Sequence, residues 1–192
     1  MWEIILEIIK DLPATRYSTK SESNGIPKDV VWGEEVLRKS NGLVHCSGAT
    51  FWLLVELLRL FEKEGELNKH QIEDLRKWAW CWGGQNGGRG GGLPQGIVEY
   101  GLGEFVPTTG LQQGDFVQIW RNDGSGHSFV FAGELDGSWM EWSASSTHEI
   151  GTGINWSGAK TNCMKSLPLD SMTVFGGKYG RETKHPDRDP QG

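Results

Sequence analysis

One segment constrains this chain more than any other: Ala49-Thr50-Phe51-Trp52-Leu53-Leu54-Val55-Glu56-Leu57-Leu58-Arg59-Leu60-Phe61. Apolar residues at 51, 54, 55, 58 and 61 recur at helical spacing, and further apolar residues fill the other faces. A helix apolar nearly all round belongs at the centre of a domain, with other elements laid against it. Glu56 and Arg59 interrupt the run, and a bilayer span needs about 20 apolar residues, so no span is expected. Cys46-Ser47-Gly48 leads straight into this helix, which places a thiol at its N-terminal end.

The flanking patterns divide the chain into helices first and strands second. Residues 1–25 end in a run of Ser, Lys, Asn and Gly and read as an N-terminal arm, a short arm or helix followed by a loop. A helix is predicted from Pro27, with Asp29 near its start, to about Lys39, stopped by Asn41-Gly42. After the central helix a second runs from about Asn68 to Trp82, with Ile72, Leu75 and Ala79 on one face and Trp78, Trp80 and Trp82 pointing in several directions. Gly83 to Gly92 is a glycine-rich loop without the Lys and Ser or Thr of a phosphate cradle. A short helix, Gln95 to Tyr100, follows Leu93-Pro94. Strands are then predicted over 116–120, 127–132 and 139–144, with turns at Gly114-Asp115, at 122–126 and at Asp136-Gly137. Weak strand signal recurs near 153–156, and a last strand covers Ser171 to Phe175. The polar stretch 178–192 reads as a tail. The implied layout is α+β, helices packed on one face of an antiparallel sheet, in one domain over 26–177.

Composition narrows the partners. The chain of 192 residues carries 19 basic and 25 acidic side chains, a net charge of −6, and no cluster of Lys and Arg suited to phosphates, so nucleic acid is not an expected partner. Residues 1–9 are apolar but carry Glu3 and Glu7 and no early positive charge, unlike a signal peptide. The three cysteines, Cys46, Cys81 and Cys163, are too few for a disulfide scaffold, although one bridge between Cys81 and Cys163 would leave Cys46 free.

The chemistry is expected at Cys46 and His127. Unpaired N–H groups and the dipole of a helix N-terminus stabilise a thiolate, and the backbone of Cys46 and Ser47 can face a developing oxyanion. A glycine at position 48 would let a substrate approach the backbone. His127 opens a strand after Gly124-Ser125-Gly126, where a partly exposed ring could take the thiol proton and later return it. Glu141 and Ser143, two apart on the next strand, share a face and are the candidates to orient that ring. Ten tryptophans are available, and Trp52, Trp82, Trp120 and Trp142 lie nearest the site in sequence as candidates to line a substrate groove. A zinc site from His45, Cys46, Cys81 and His127 lacks the paired ligand spacing such sites use.

At these residues the chain resembles the NlpC-type peptidases, a papain-like family of bacterial cell-wall enzymes. The similarity rests on Cys46-Ser47-Gly48 at a helix start, on Gly114-Asp115-Phe116-Val117, and on Gly126-His127-Ser128-Phe129-Val130-Phe131-Ala132-Gly133, within roughly Val44 to Ser145. The resemblance implies a papain-like core and a cysteine hydrolase, without a cofactor, that cleaves an amide bond in peptidoglycan stem peptides outside the cell or in the periplasm. The chain departs from the family pattern in three places. His45 stands where the family has Asp, Ser128 follows the histidine in place of a small apolar residue, and the hairpin is longer, bringing Glu141 nearest the third position with Ser143 behind it. His45 then either supports the site or faces solvent. The same Cys46 and His127 would also serve a cysteine-dependent acyltransferase or a deamidating effector, which would have an inhibitor or immunity protein as partner. A non-catalytic wall-binding module using the tryptophans is the reading from another class.

Overall fold

The computed structural model describes residues 1–13, 15–80, 91–120, 126–135, 138–144 and 173–179, the last segment, like Trp120, Leu135 and Ser138, by backbone alone. Helices and sheet are mixed in an α+β arrangement. Its axis is the helix α2, Cys46–Leu60, with 12 of its 15 residues buried, as the all-round apolar pattern requires. Helices α1 (Trp2–Ile9), α3 (Lys69–Trp80) and α4 (Gly92–Glu99) pack on it. Asn68 caps α3: its Oδ1 accepts from the amides of His70 and Gln71, while Gln71 Oε1 accepts from the Asn68 amide. That reciprocal pair satisfies donors a helix start would otherwise leave open. No helix among the described residues is long and apolar enough to cross a membrane.

The N-terminal region opens on a helix, one of the two forms expected, and it is packed into the domain. Ile5 and Ile9 are buried in the same core as α2. The strand β1 (Arg16–Tyr17) pairs in parallel with β4 (Leu43–Val44), and Gly25 bridges to Val44. The helix expected after Pro27 does not form. Residues Val30–Trp32 (β2) and Glu35–Arg38 (β3) form an antiparallel hairpin, with Gly33 at φ +59° in its turn. The β-branched and aromatic run Val30-Val31-Trp32 outweighs the helix-start signals of Pro27 and Asp29. The Asp29 carboxylate instead accepts from the amide of Ser40 across the base of the hairpin.

The second half builds a five-stranded antiparallel sheet from β5 (Gly103–Val106), β6 (Phe116–Trp120), β7 (Gly126–Leu135), β8 (Ser138–Trp142) and β9 (Thr173–Tyr179), in the order β5-β9-β6-β7-β8. The strand β5 was not expected, and β9 runs past Phe175 to Tyr179, so the pairing of Gly103 with Tyr179 takes in residues assigned to the tail. The expected strand near 153–156 lies outside the described residues. One sheet face, with Phe116, Val130 and Trp142, closes the main core against α2. The other carries a smaller cluster of Val117, Ile119, Phe129 and Phe131, flanked by Leu111 and Trp139.

Candidate active site

The N-terminus of α2 is capped by a histidine. His45 Nδ1 accepts from the amide of Gly48 at 3.1 Å and lies 3.1 Å from Ser47 Oγ. Cap positions favour Ser, Thr, Asp or Asn, and an imidazole lone pair does the same work only while that nitrogen is unprotonated. Burial and the charge of Arg38 hold His45 down at about 4, so it is neutral and able to accept. His45 therefore supports the site and does not face solvent; it is 6% exposed.

Gly48 is needed for a reason other than the expected one. A Cβ there would lie 1.7 Å from the carbonyl oxygen of Gly25, and a Cβ on Gly25 would lie 2.2 Å from His45 Nε2. The space is filled by the chain's own loop, not left for a substrate. Gly25 also holds φ +78°, and its carbonyl accepts from the His45 amide. The loop thus locks the residue before Cys46 from both sides.

His127 is brought to Cys46 by the sheet. Phe131 exchanges backbone hydrogen bonds with Gly114 and Asp115 on the β6 side. Alternation along β7 then turns the amide of Ser128 to the opposite side, toward β8. Among the described residues, however, pairing of β7 with β8 runs only from Leu135↔Ser138 to Val130↔Trp142. The first residues of β7 are thereby left open on that side, and the first turn of α2 occupies the gap. The His127 ring and the backbone amides of Ser128 and Ser47 lie by the sulfur of Cys46, where each favours its charged form.

The third residue is placed by a bulge. The register of β7 against β8 shifts by one between Phe131 and Gly133, where Gly133 takes φ +131°. Without that shift Glu141 would pair with Ala132 and point into the main core; with it, Glu141 pairs with Phe131 and shares a face with His127. Glu141 Oε1 sits 2.9 Å from His127 Nε2 and also accepts from Ser143 Oγ at 2.9 Å. Nε2 is thus held by the carboxylate, which leaves Nδ1 for the thiol. Both candidates for the third position are present in one chain, Glu141 on the ring and Ser143 behind it.

Charges follow from this geometry. Burial alone would lower His127, but the Glu141 charge and the hydrogen bonds to Cys46 and Glu141 raise it to about 10. Burial alone would raise Cys46; the hydrogen bond and charge of His127, with the amides of Ser128 and Ser47, bring it below its ordinary value. The two shifts run in the same sense, toward a thiolate beside an imidazolium. The His127 ring is not partly exposed as expected: it is 8% exposed and stacks on Phe129 at 5.7 Å, and Cys46 is 1% exposed. The sulfur is buried against an imidazole and two amides, which favour its ionised form as packed hydrocarbon would not.

The other predicted residues divide. Trp52 and Trp142 are core residues, 2% and 1% exposed, and present no face to a groove. Trp82, the glycine-rich segment 83–90, the turn before Gly126, Cys81 and Cys163 and any bridge between them, and the side chain of Trp120 lie outside what the structure describes. Cys46 is a free thiol. Among the described residues no group of three or more His, Cys, Asp and Glu side chains is arranged to hold a metal ion. Asp115 of the Gly-Asp motif is structural, its carboxylate accepting from the Gln112 amide in the turn that leads into β6. Sequence reasoning missed the Ser128 amide, the Gly25 clamp and the cap role of His45; only the last had a local signal, a polar residue one position before a helix start. A cleft of about 490 Å³ lined by Trp32, Glu35, Glu64 and Lys69 among others lies at the far end of α2 from Cys46. No family model, curated protein or solved structure matches the chain.

Proposed function

We propose that the chain is a cysteine hydrolase that cleaves an amide bond in peptidoglycan stem peptides, with Cys46 as nucleophile, His127 as acid and base, and Glu141 as the group that orients His127. The observation that carries this reading is the buried Cys46–His127–Glu141 chain, thiol to ring to carboxylate, at a helix N-terminus. The substrate class rests on the resemblance of the Cys-Ser-Gly and Gly-His segments to the NlpC-type family, and a papain-like core is part of the same reading. In it the protein works at the cell wall, in the periplasm or outside the cell.

The Cys46 thiolate attacks the carbonyl carbon, forming a C–S bond while the oxygen takes up negative charge beside the amides of Ser47 and Ser128. The imidazolium of His127 gives its proton to the amide nitrogen, the C–N bond breaks, and the amine leaves. Neutral His127 then takes a proton from water, which attacks the thioester carbonyl. The C–S bond breaks, the acid is released, and the thiolate–imidazolium pair is restored. Glu141 stabilises the imidazolium at both stages and fixes which ring nitrogen faces the sulfur.

The test is digestion of defined muropeptides by the wild type and Cys46→Ala, read by mass spectrometry. Release of stem-peptide fragments by the wild type alone is the expected result. Intact muropeptides with both proteins would remove the peptidoglycan assignment.

A further inference from the structure

Beside the first turn of α2 lies a group that the chemistry above does not use. Trp80, in the last turn of α3, meets the His45 ring edge-on at 4.7 Å. Two guanidiniums lie over the same indole, Arg38 at 5.4 Å and Arg76 at 5.8 Å from its centre. They come from different elements, β3 and α3, so the fold and not local sequence puts them together. We propose that Arg38 and Arg76, mounted on Trp80, form a carboxylate-binding subsite for the substrate of Cys46. The assignment rests on the hydrolase reading above and deepens it by naming the charge the substrate must carry.

Like charges do not gather on one ring without a reason. Arg38 Nε donates to the Asn24 carbonyl at 2.7 Å, and Arg76 Nε to the Glu73 carboxylate at 2.7 Å. One carboxylate therefore stands against two cations, and Arg38 forms no ion pair among the described residues. Both side chains are half-buried, in a chain of net charge −6. Burial, and after it the nearby charge of Arg76, already lowers Arg38. An incoming carboxylate would relieve that repulsion and could take the free guanidinium edges in a charge-assisted fork. The indole fixes the direction of the guanidiniums and so reduces the ordering cost of binding.

The distance suits a peptide. The platform is one indole away from the residue that precedes the nucleophile, and an extended chain covers roughly 3.3–3.6 Å per residue. The carboxylate recognised would therefore lie a short way along the chain from the scissile carbonyl, on an acidic peptide.

The test needs no knowledge of the natural substrate. Cys46 is alkylated in the full-length protein with N-iodoacetyl-glycyl-glutamate and with the same compound carrying amides in place of both carboxylates. The ratio of the two rates cancels any change in the sulfur itself. The wild type should prefer the anionic reagent by about tenfold, less at high salt. Arg38→Gln and Arg76→Gln should each bring the ratio toward one, and Arg38→Lys should keep part of it. Where Arg38→Gln does not fold, Arg76→Gln and Arg38→Lys carry the comparison. A wild type without preference, or a ratio that neither position changes, overturns the subsite; if stem peptides are still cleaved, the hydrolase reading stands. A preference that responds to both arginines while muropeptides stay intact keeps the subsite and removes the peptidoglycan assignment.

Discussion

Two imidazoles flank the α2 N-terminus, and their surroundings push them in opposite directions. His45 and His127 are both buried, at 6% and 8% exposure. Yet His45 is held at about 4 and His127 is raised to about 10. Burial disfavours the charged ring in both places, so burial cannot explain the difference. The neighbours do: Arg38 stands by His45, whereas Glu141 and the Cys46 sulfur stand by His127. One ring is kept neutral so that it can accept the Gly48 amide and hold the helix; the other is kept charged so that the sulfur can be an anion. The same residue type is a structural cap on one side of the nucleophile and an acid on the other.

Removing the charged side should have the largest effect. Cys46→Ala should abolish turnover of a peptide substrate, and His127→Ala should lower kcat by about 10⁶-fold, as loss of the base does in other nucleophile–base systems. Because His127 is buried and stacks on Phe129, His127→Ala should also lower the denaturation midpoint, which the partly exposed ring expected from sequence would not do. Glu141→Gln should make the His127 environment more like that of His45. The ring should fall well below about 10, and the rate should drop about 10²-fold, while Ser143→Ala, one step further from the ring, should cost less than about threefold. Titration of the ring by NMR alongside the rates checks this pair.

Gly133→Val tests the device that brings the carboxylate across. A side chain at φ +131° is strained by about 1–3 kcal/mol, and it would also meet Met140 Cε at 3.0 Å. Both lower stability and a weakened Glu141–His127 contact are expected, measured by denaturation and by a lowered His127 pKa. The smallest effect belongs to the neutral side. His45→Ala should cost about 1 kcal/mol through loss of the cap, and His45→Asn should recover most of it. Since folded His45 titrates at about 4 and an ordinary histidine at 6.5, the unfolded chain binds the proton first. Stability should therefore fall as pH drops from about 6.5 toward 4, and His45→Asn should flatten that part of the profile.

The contrast between the two rings also marks where sequence was informative. The central helix, the thiol at its start, the strands around His127 and the pair Glu141 and Ser143 were legible because each rests on a local pattern: helical spacing, period-two alternation, a glycine turn. The hairpin at 30–38 was not, because Pro27 and Asp29 imitate a helix start and tertiary pairing overrode them. Which face Glu141 occupies depends on one extra residue in β7, and a one-residue slip reverses every side chain beyond it. The burial of Trp52, Trp142 and His127, the fit of Gly25 against Gly48, and the meeting of Arg38 with Arg76 on Trp80 all depend on contacts between elements far apart in sequence, for which no spacing rule exists.

The central claim is that Cys46 is a thiolate because His127 is charged, and the pH dependence of Cys46 alkylation by iodoacetamide tests it most directly. The shape of the curve matters and not its height, because the sulfur is only 1% exposed. The rate should already be at its plateau at neutral pH, fall only in acid, and move toward an ordinary thiol profile in His127→Ala. A wild-type rate that climbs only near pH 8.5, about where an unperturbed cysteine ionises, with no change on removing His127, would contradict the ion pair and the hydrolase built on it.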